Sequence, residues 1–400
     1  MRFTVIAGSS RNCLKKDKTM EISKTIDGYK KDALKFLEDI ISIKSYSKQE
    51  QKVAFRVASE MKKLGYDSVT IDKLGSVMGK IGFGKKKILY DAHTDTVGIA
   101  DIRQWKTDPH KAVFKNGIVY GRGACDDKGC VASMVYAGGL VKKLGLTGDF
   151  TLYVSASVQE EIAEGYGIDY LLKHLKFTPD CVIIGEPSNL QIVRGHKGRV
   201  EVKITVKGKS CHASIPHEGD NAIYKALPLV KNIEGLNKKY REFPGLGKPV
   251  ISVTQIETKN ASINTVPDNC SFYIDRRTIV GETKKGITSE IKSACGKNIK
   301  IDYLKKFFNA WFLPPDHYLI KSAVEAYKKA YGKKADVILW PFCTNGSFTM
   351  GEKRMPTFGF GPGEPKYCHV ANEQILFSDV MEAIKFYSIF PLTFIQKEIE

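Results

Sequence analysis

No apolar run in the 400 residues approaches the roughly 20 needed to cross a bilayer, so the sequence gives no sign of a membrane span. The opening MRFTVIAGSS is too short and broken for a secretory signal, and export is not expected. Residues 1–19 read as a disordered extension, with Met20 opening the compact part. Nine cysteines occur without a CxxC pair or a dense framework, which excludes a disulfide scaffold and favours reduced thiols in a cytoplasmic protein. Cys211 and Cys368 each precede a histidine, which raises a Cys/His metal site or a nucleophile; a small packing residue is the favoured reading. Acidic residues are in deficit, 44 against 62 Lys and Arg, for a net charge of +18. The lysines are spread along the chain without aromatic interleaving or a nucleic-acid motif. A solvated basic surface that attracts anionic small molecules is expected, and no nucleic-acid partner. Internal repeats and low-complexity tracts are also missing.

What is present describes a folded protein, 42% apolar and 26% charged, too long for one ordinary core. From Ile26 to Ile41, Tyr29, Ala33, Leu37 and Ile40 recur at helical spacing, as do Val53, Val57, Met61 and Leu64 before a stop at Gly65. KKKILYDAHTD, DFTLYVSASVQEE and PDCVIIGEPS are apolar strands that finish in polar or acidic residues, and GRGACDDKG leads into a helix. That is the pattern of an α/β sheet with a polar edge at its carboxyl ends. After Arg194 the style changes: Val200, Val202, Ile204 and Val206 alternate with polar residues. A helix over 221–236, strands over 250–257 and 269–275, and a helix and strand between 282 and 303 give a βαββαβ-like insertion. FNAWFLPPD reads as the return linker, followed by a helix over 317–331, strands over 335–340 and 356–361, and a last helix from Ser378.

His93 and Asp95 stand two apart on an extended segment and point to one face, where the carboxylate can orient a metal-bound imidazole. Asp126, Glu160, Glu161, Glu186 and His369 add further carboxylates and a second imidazole. Converging unpaired, such carboxylates would repel one another; divalent cations remove that objection. A mixed His and carboxylate donor set suits zinc, cobalt or manganese better than calcium. Each motif alone is weak, since an HxD is a common accident and an Asp-Asp before a helix is most often a cap.

In order and setting, the segments YDAHTDTV, GRGACDDKGCVA, SVQEEIAEGYG, IIGEPS, GKSCHASIPHEGDNAI, INTVPDNCSFYIDRR and KYCHVANEQI resemble one family. It is the acetylornithine deacetylase, succinyl-diaminopimelate desuccinylase and aminoacylase superfamily of dinuclear zinc peptidases, with the nearest likeness to its hydrolases linked to selenium metabolism. The resemblance implies a phosphorylase/hydrolase-like α/β catalytic domain over 20–196 and 309–400, with an inserted ferredoxin-like α+β dimerisation (lid) domain over 197–308. It implies two divalent metal ions per subunit, most simply zinc. Asp126 would bridge them and its bond to Asp127 would be cis; His93 and Glu186 would complete one site, Glu161 and His369 the other. Asp95 would orient His93, and Glu160 would be the general base. Many relatives carry aspartate where Glu186 stands, but glutamate also occurs. His212 would stabilise the oxyanion in the other subunit of a homodimer, while Asn264, Arg277 and Gly363 would meet substrate. A structural hydrogen bond is the competing reading for His212, and an ion pair for Arg277, whose neighbour Arg276 could replace it; His217 reads as structural.

The expected activity is hydrolysis of a linear amide in an N-acyl or N-carbamoyl amino acid or a short peptide with a free carboxylate. The alternative, a non-catalytic relative that binds a metabolite or partner, predicts lost ligands or a replaced base, and all five ligand positions and Glu160 are present.

Overall fold

A computed structural model describes residues 18–260 and 262–397. The expected extension over 1–19 falls, except for its last two residues, outside the described residues. Helices α1 (Lys30–Ser42) and α2 (Gln51–Lys63) come first, followed by strands β1 (Ser68–Ile71), β2 (Val77–Ile81) and β3 (Lys86–His93). A short hairpin, β4 (Val113–Lys115) and β5 (Ile118–Tyr120), precedes α3 (Gly129–Lys143) and β6 (Phe150–Ser157). Next come α4 (Tyr166–Leu175), β7 (Cys181–Ile184) and β8 (Ile192–His196). The inserted stretch holds β9 (Gly198–Lys207), α5 (Ala222–Leu236), β10 (Val250–Thr258), β11 (Asn269–Thr278), α6 (Lys284–Cys295) and β12 (Ile299–Tyr303). The chain closes with α7 (Tyr318–Tyr331), β13 (Thr357–Gly359), β14 (Gln374–Leu376) and α8 (Phe377–Lys397).

Two compact units result. One takes in the chain through Arg194, Leu313–Ile338 and the chain from Thr344; the other takes in Gly195–Phe312 and Leu339–Cys343. In the first, strands pair in the order β1-β2-β6-β3-β7-β13-β8. β3 lies parallel to both β6 and β7, and β13 runs parallel to β7. Their central residues are apolar and buried, from Ile88 to Tyr90 and Cys181 to Ile184, as strands covered on both faces must be. The helix patterns are met: Ala33, Leu37 and Ile40 of α1 and Val53, Val57 and Met61 of α2 are buried. Each large apolar side chain removed from water contributes about 1.5–3 kcal/mol. The first turn of the expected 26–41 helix is a 3-10 turn, Ile26–Tyr29, and α2 stops where Gly65 takes φ +80. No helix among the described residues is long and apolar enough to cross a membrane.

The second unit has an antiparallel sheet in the order β10-β11-β9-β12. Numbered by their place in the insertion, these strands run 4-1-3-2 when read from β12, and with α5 and α6 they make the ferredoxin-like βαββαβ arrangement. Val200, Val202 and Ile204 of β9 and Phe272 and Ile274 of β11 share its core with Ala226, Ile233, Ile287 and Ile291 of the helices.

Close packing of the first sheet fixes the loops beyond it. A Cβ at Gly361, just past β13, would meet the Glu186 carbonyl oxygen and, at 2.5 Å, Cys130 Sγ. Gly361→Ala is expected to destabilise the protein by about 1–3 kcal/mol. Urea unfolding would show a lower midpoint at unchanged slope; an unchanged midpoint would mean the segment shifts freely.

Candidate metal centre

Because β3, β6 and β7 are parallel, their carboxyl ends open onto one edge of the sheet. His93 is the last residue of β3, in register with Ser157 at the end of β6. Glu160 and Glu161 follow β6 through Gln159, which takes φ +60, and Glu186 lies two residues past β7. Asp126 sits on the turn before α3, and its peptide bond to Asp127 is cis. His369, with φ +61, comes from the loop ahead of β14.

The side chains converge. Asp126 places Oδ1 3.0 Å from His93 Nε2 and Oδ2 3.1 Å from His369 Nε2. Glu161 lies 3.1 Å from His369 Nε2, and Glu186 Oε1 lies 3.7 Å from His93 Nε2. His93, Asp126 and Glu161 offer ligand atoms within 4.8 Å of one another, and so do His93, Asp127 and Glu186. Asp127 is thus part of the cluster, a residue that the sequence marks only as the far end of a cis bond.

Electrostatics single out the same groups. Burial, with the nearby carboxylates, pushes Glu160, Glu186 and Asp127 well above the usual range, and Glu161 upward as well. Asp126 goes the other way: burial opposes its ionisation, but the His369 and His93 imidazoles outweigh that and hold it low. His93 is drawn down by burial yet held well above its ordinary value by Asp126 and Asp95. Among the described residues Glu160 Oε1 and Asp127 Oδ1 are buried with no hydrogen-bond partner. Orphaned carboxylate oxygens beside two imidazoles are the donor set a borderline-hard divalent cation satisfies. The residues fit such a cation.

Backbone amides tie the segments that bear these residues together. Asp95 Oδ1 accepts the Glu160 N–H at 3.0 Å and Oδ2 accepts the Glu161 N–H at 3.1 Å, while Ser47 Oγ donates to Oδ2 at 2.7 Å. The closest partner of His93 Nδ1 is the Asp95 backbone carbonyl at 2.9 Å, with the carboxylate at 3.5 Å. Asp95 therefore holds the imidazole largely through its backbone and the Glu160-Glu161 segment through its side chain. Glu50 Oε1 accepts the Gln159 N–H at 3.0 Å, and Asp127 Oδ2 accepts the His93 N–H at 3.1 Å. Glu373 accepts the N–H groups of Cys125 and Asp126. Sequence reasoning missed Glu50 and Glu373, because an isolated glutamate carries no sign that it is buried.

The remaining site residues have other surroundings. His212 and Asn264 come together in the second unit, where Cys211–His212 pairs with Thr265–Val266. His212 Nδ1 is 2.7 Å from Ser214 Oγ, and its Nε2 is 3.4 Å from Asn264 Nδ2, all exposed. Arg277 donates to Asp275 from Nε at 2.8 Å and Nη2 at 3.2 Å. Arg276 is fully buried against Glu282 and Glu290, which removes it as a substitute for Arg277. Gly363, in the first unit, has φ +85, lends its carbonyl to the Asn189 N–H, and has room for no Cβ beside Cys125 Sγ at 2.8 Å. Cys368 Sγ lies 3.9 Å from Cys125 Sγ, and neither Cys368 nor Cys211 joins a metal-capable group among the described residues.

Residues 89–392 match the peptidase family M20/M25/M40. The protein YgeY of Escherichia coli (strain K12) is 37% identical over 389 residues, 92% of this chain and 96% of that one. The acetylornithine deacetylase of Pectobacterium carotovorum is 31% identical over 318 residues, 76% of this chain and 79% of the deacetylase. Among solved structures, the M20 family metallo-carboxypeptidase of Sulfolobus solfataricus superposes with a TM-score of 0.77 at 21% identity, covering 90% of this chain and 99% of its own, a likeness of fold. With most of its length matched and these residues gathered at one sheet edge, the chain belongs to the peptidase family M20/M25/M40 and is a metal-binding hydrolase of amide bonds.

Proposed function

We propose that this protein is a dinuclear metal-dependent hydrolase of linear amides, acting on N-acyl or N-carbamoyl amino acids or short peptides that carry a free carboxylate. The observation that carries this reading is the two-sided Asp126 carboxylate, one oxygen turned to each imidazole. His93 and Glu186 would complete one cation's ligands, and His369 and Glu161 the other's. Two bound divalent cations, zinc or else cobalt or manganese, would polarise the amide carbonyl and acidify water.

Glu160 is placed to move the proton. Its carboxyl is buried, one oxygen has no partner among the described residues, and its backbone is fixed through Asp95. It takes a proton from water as the water oxygen bonds to the amide carbon, then returns it to the nitrogen as the C–N bond breaks. His212 would donate to the developing oxyanion in the other subunit of a homodimer, and Asn264 would meet the substrate. Asp275 holds the Arg277 guanidinium in one plane, from which its remaining N–H groups would meet the substrate carboxylate. The surplus of positive charge favours such anionic substrates.

Metal-reconstituted protein is expected to hydrolyse some of a panel of N-acetyl, N-succinyl and N-carbamoyl amino acids and dipeptides. Glu160→Gln should lower turnover by about 10²–10⁴-fold or more while two metals per chain remain bound. Undiminished turnover in Glu160→Gln would refute the assignment of the base, and metal binding without turnover on the panel would refute the substrate class.

Proton release gives a second test. In the metal-free protein Asp126 and Glu161 push His369 up to about 10, so its imidazole is charged at neutral pH. A raised folded-state pKa means this pairing stabilises the metal-free protein fully below about pH 6.5 and is lost as pH rises through about 10. Metal ligation needs the neutral imidazole, so loading should expel at least one proton per chain and tighten as pH rises. Calorimetric titrations at pH 7 in buffers of different ionisation heat measure this; heats independent of buffer would contradict it.

A further inference from the structure

We infer that Glu373, backed by Arg122, is a positioning residue that sets the carboxylate of Asp126 against His369. The inference rests on the metal-centre reading above.

Glu373 is itself firmly placed. It stands immediately before β14, which pairs antiparallel with β5 (Gln374 opposite Tyr120), and the Gly121 N–H donates to the Glu373 carbonyl at 3.1 Å. Asn372 ties the same segment down from the other side: its Oδ1 accepts the Lys106 N–H at 2.7 Å, and its Nδ2 donates to the Gln104 carbonyl at 2.9 Å. Between those two residues Trp105 lies with its ring centroid 5.1 Å from the Arg122 guanidinium. Arg122 then donates from Nη1 to Glu373 Oε2 at 2.6 Å, with both side chains buried.

The other carboxylate oxygen, Oε1, accepts two consecutive N–H groups, those of Cys125 and Asp126, each at 2.9 Å. Both segments involved carry ligands. The 369–373 loop bears His369, and the 125–126 turn bears the carboxylate whose Oδ2 lies 3.1 Å from His369 Nε2. Glu373 therefore fixes the two halves of that contact to each other through backbone. A buried carboxylate needs a counter-charge, and the Arg122 guanidinium is placed to supply it. The Arg122 contact occupies Oε2, which leaves Oε1 as the fixed acceptor of the two N–H groups.

Glutamine at 373 has one acceptor oxygen where this arrangement uses two, and it leaves the Arg122 charge buried without its partner. The test is Co²⁺ binding by metal-free wild type, Glu373→Gln, Arg122→Met and the double variant. Affinity would be read by chelator competition, the ligand field by the visible Co²⁺ spectrum, and the fold by circular dichroism and thermal melting. Each single variant is expected to bind Co²⁺ about 10–100-fold more weakly with an altered spectrum. The double variant should recover part of the loss, since no uncompensated buried charge remains. A merely structural role would lower the melting temperature and leave affinity and spectrum unchanged in the folded fraction. Folded Glu373→Gln that binds Co²⁺ as wild type does would overturn the inference alone, and if Arg122→Met does not fold, Glu373→Gln and the double variant decide. Wild type that binds no Co²⁺ would overturn the metal-centre reading and the inference with it.

Discussion

Like charges crowded at one sheet edge set the terms for the rest of this molecule. Asp126, Asp127, Glu160, Glu161 and Glu186 approach two imidazoles in a buried space, and most of these carboxyls are driven toward their protonated forms by burial and by one another. Such a cluster has no reason to stay together by itself. In the metal-free protein the charged imidazoles hold it at Asp126; in the proposed working enzyme two cations would take their place. Either way the attraction acts over a few ångströms, so the segments that deliver the ligands must already be in position.

That placement is done by backbone amides and not by the ligand side chains. A buried carboxylate from one segment receives the N–H groups of another: Asp95 those of Glu160 and Glu161, Asp127 that of His93, Glu50 that of Gln159. Charge-assisted bonds of this kind are stronger than neutral ones, and leaving either side unpaired in the interior is costly. The parallel strands bring the segments to one edge, and the amide ties fix their separations. A hydrolase needs this order of events, because a base about an ångström out of place loses much of its effect.

The ends of the strands are legible in the sequence, and the ties between them are hidden. His93 and Asp95 can be paired because a spacing of two in an extended segment is a geometric statement. What Asp95 does with its carboxylate cannot be read, because its amide partners lie 65 and 66 residues away in the chain. The amphipathic helices are legible from periodicity, whereas the 3-10 turn ahead of α1 is not, since the apolar spacing alone does not separate the two over four residues. His212 and Asn264 stand out only singly; that they meet depends on a short strand pair closing across 52 residues. Glu50 and Glu373 are invisible for a plain reason: a lone glutamate in a polar stretch looks solvated until the fold buries it.

The two adjacent arginines of β11 show how far a period of two can be pressed. Phe272, Ile274 and Arg276 share one face of the strand, and Phe272 and Ile274 are buried in the helix-covered core. Arg276 is carried inward by the same alternation, and a guanidinium there must find partners; Glu282 and Glu290 supply them. Asp275 and Arg277 share the opposite face, half-exposed, two apart and of opposite charge, so they pair along the strand. Alternation along the strand therefore separates two residues of identical chemistry, making Arg276 structural and placing Arg277 on the accessible face. In the proposed function Asp275 would have a use beyond the ion pair: by holding a long, flexible side chain in one orientation it would reduce the entropy lost when a substrate carboxylate binds. The same contact that looks like a competitor for the guanidinium would thus, in the proposed enzyme, be what pre-orients it.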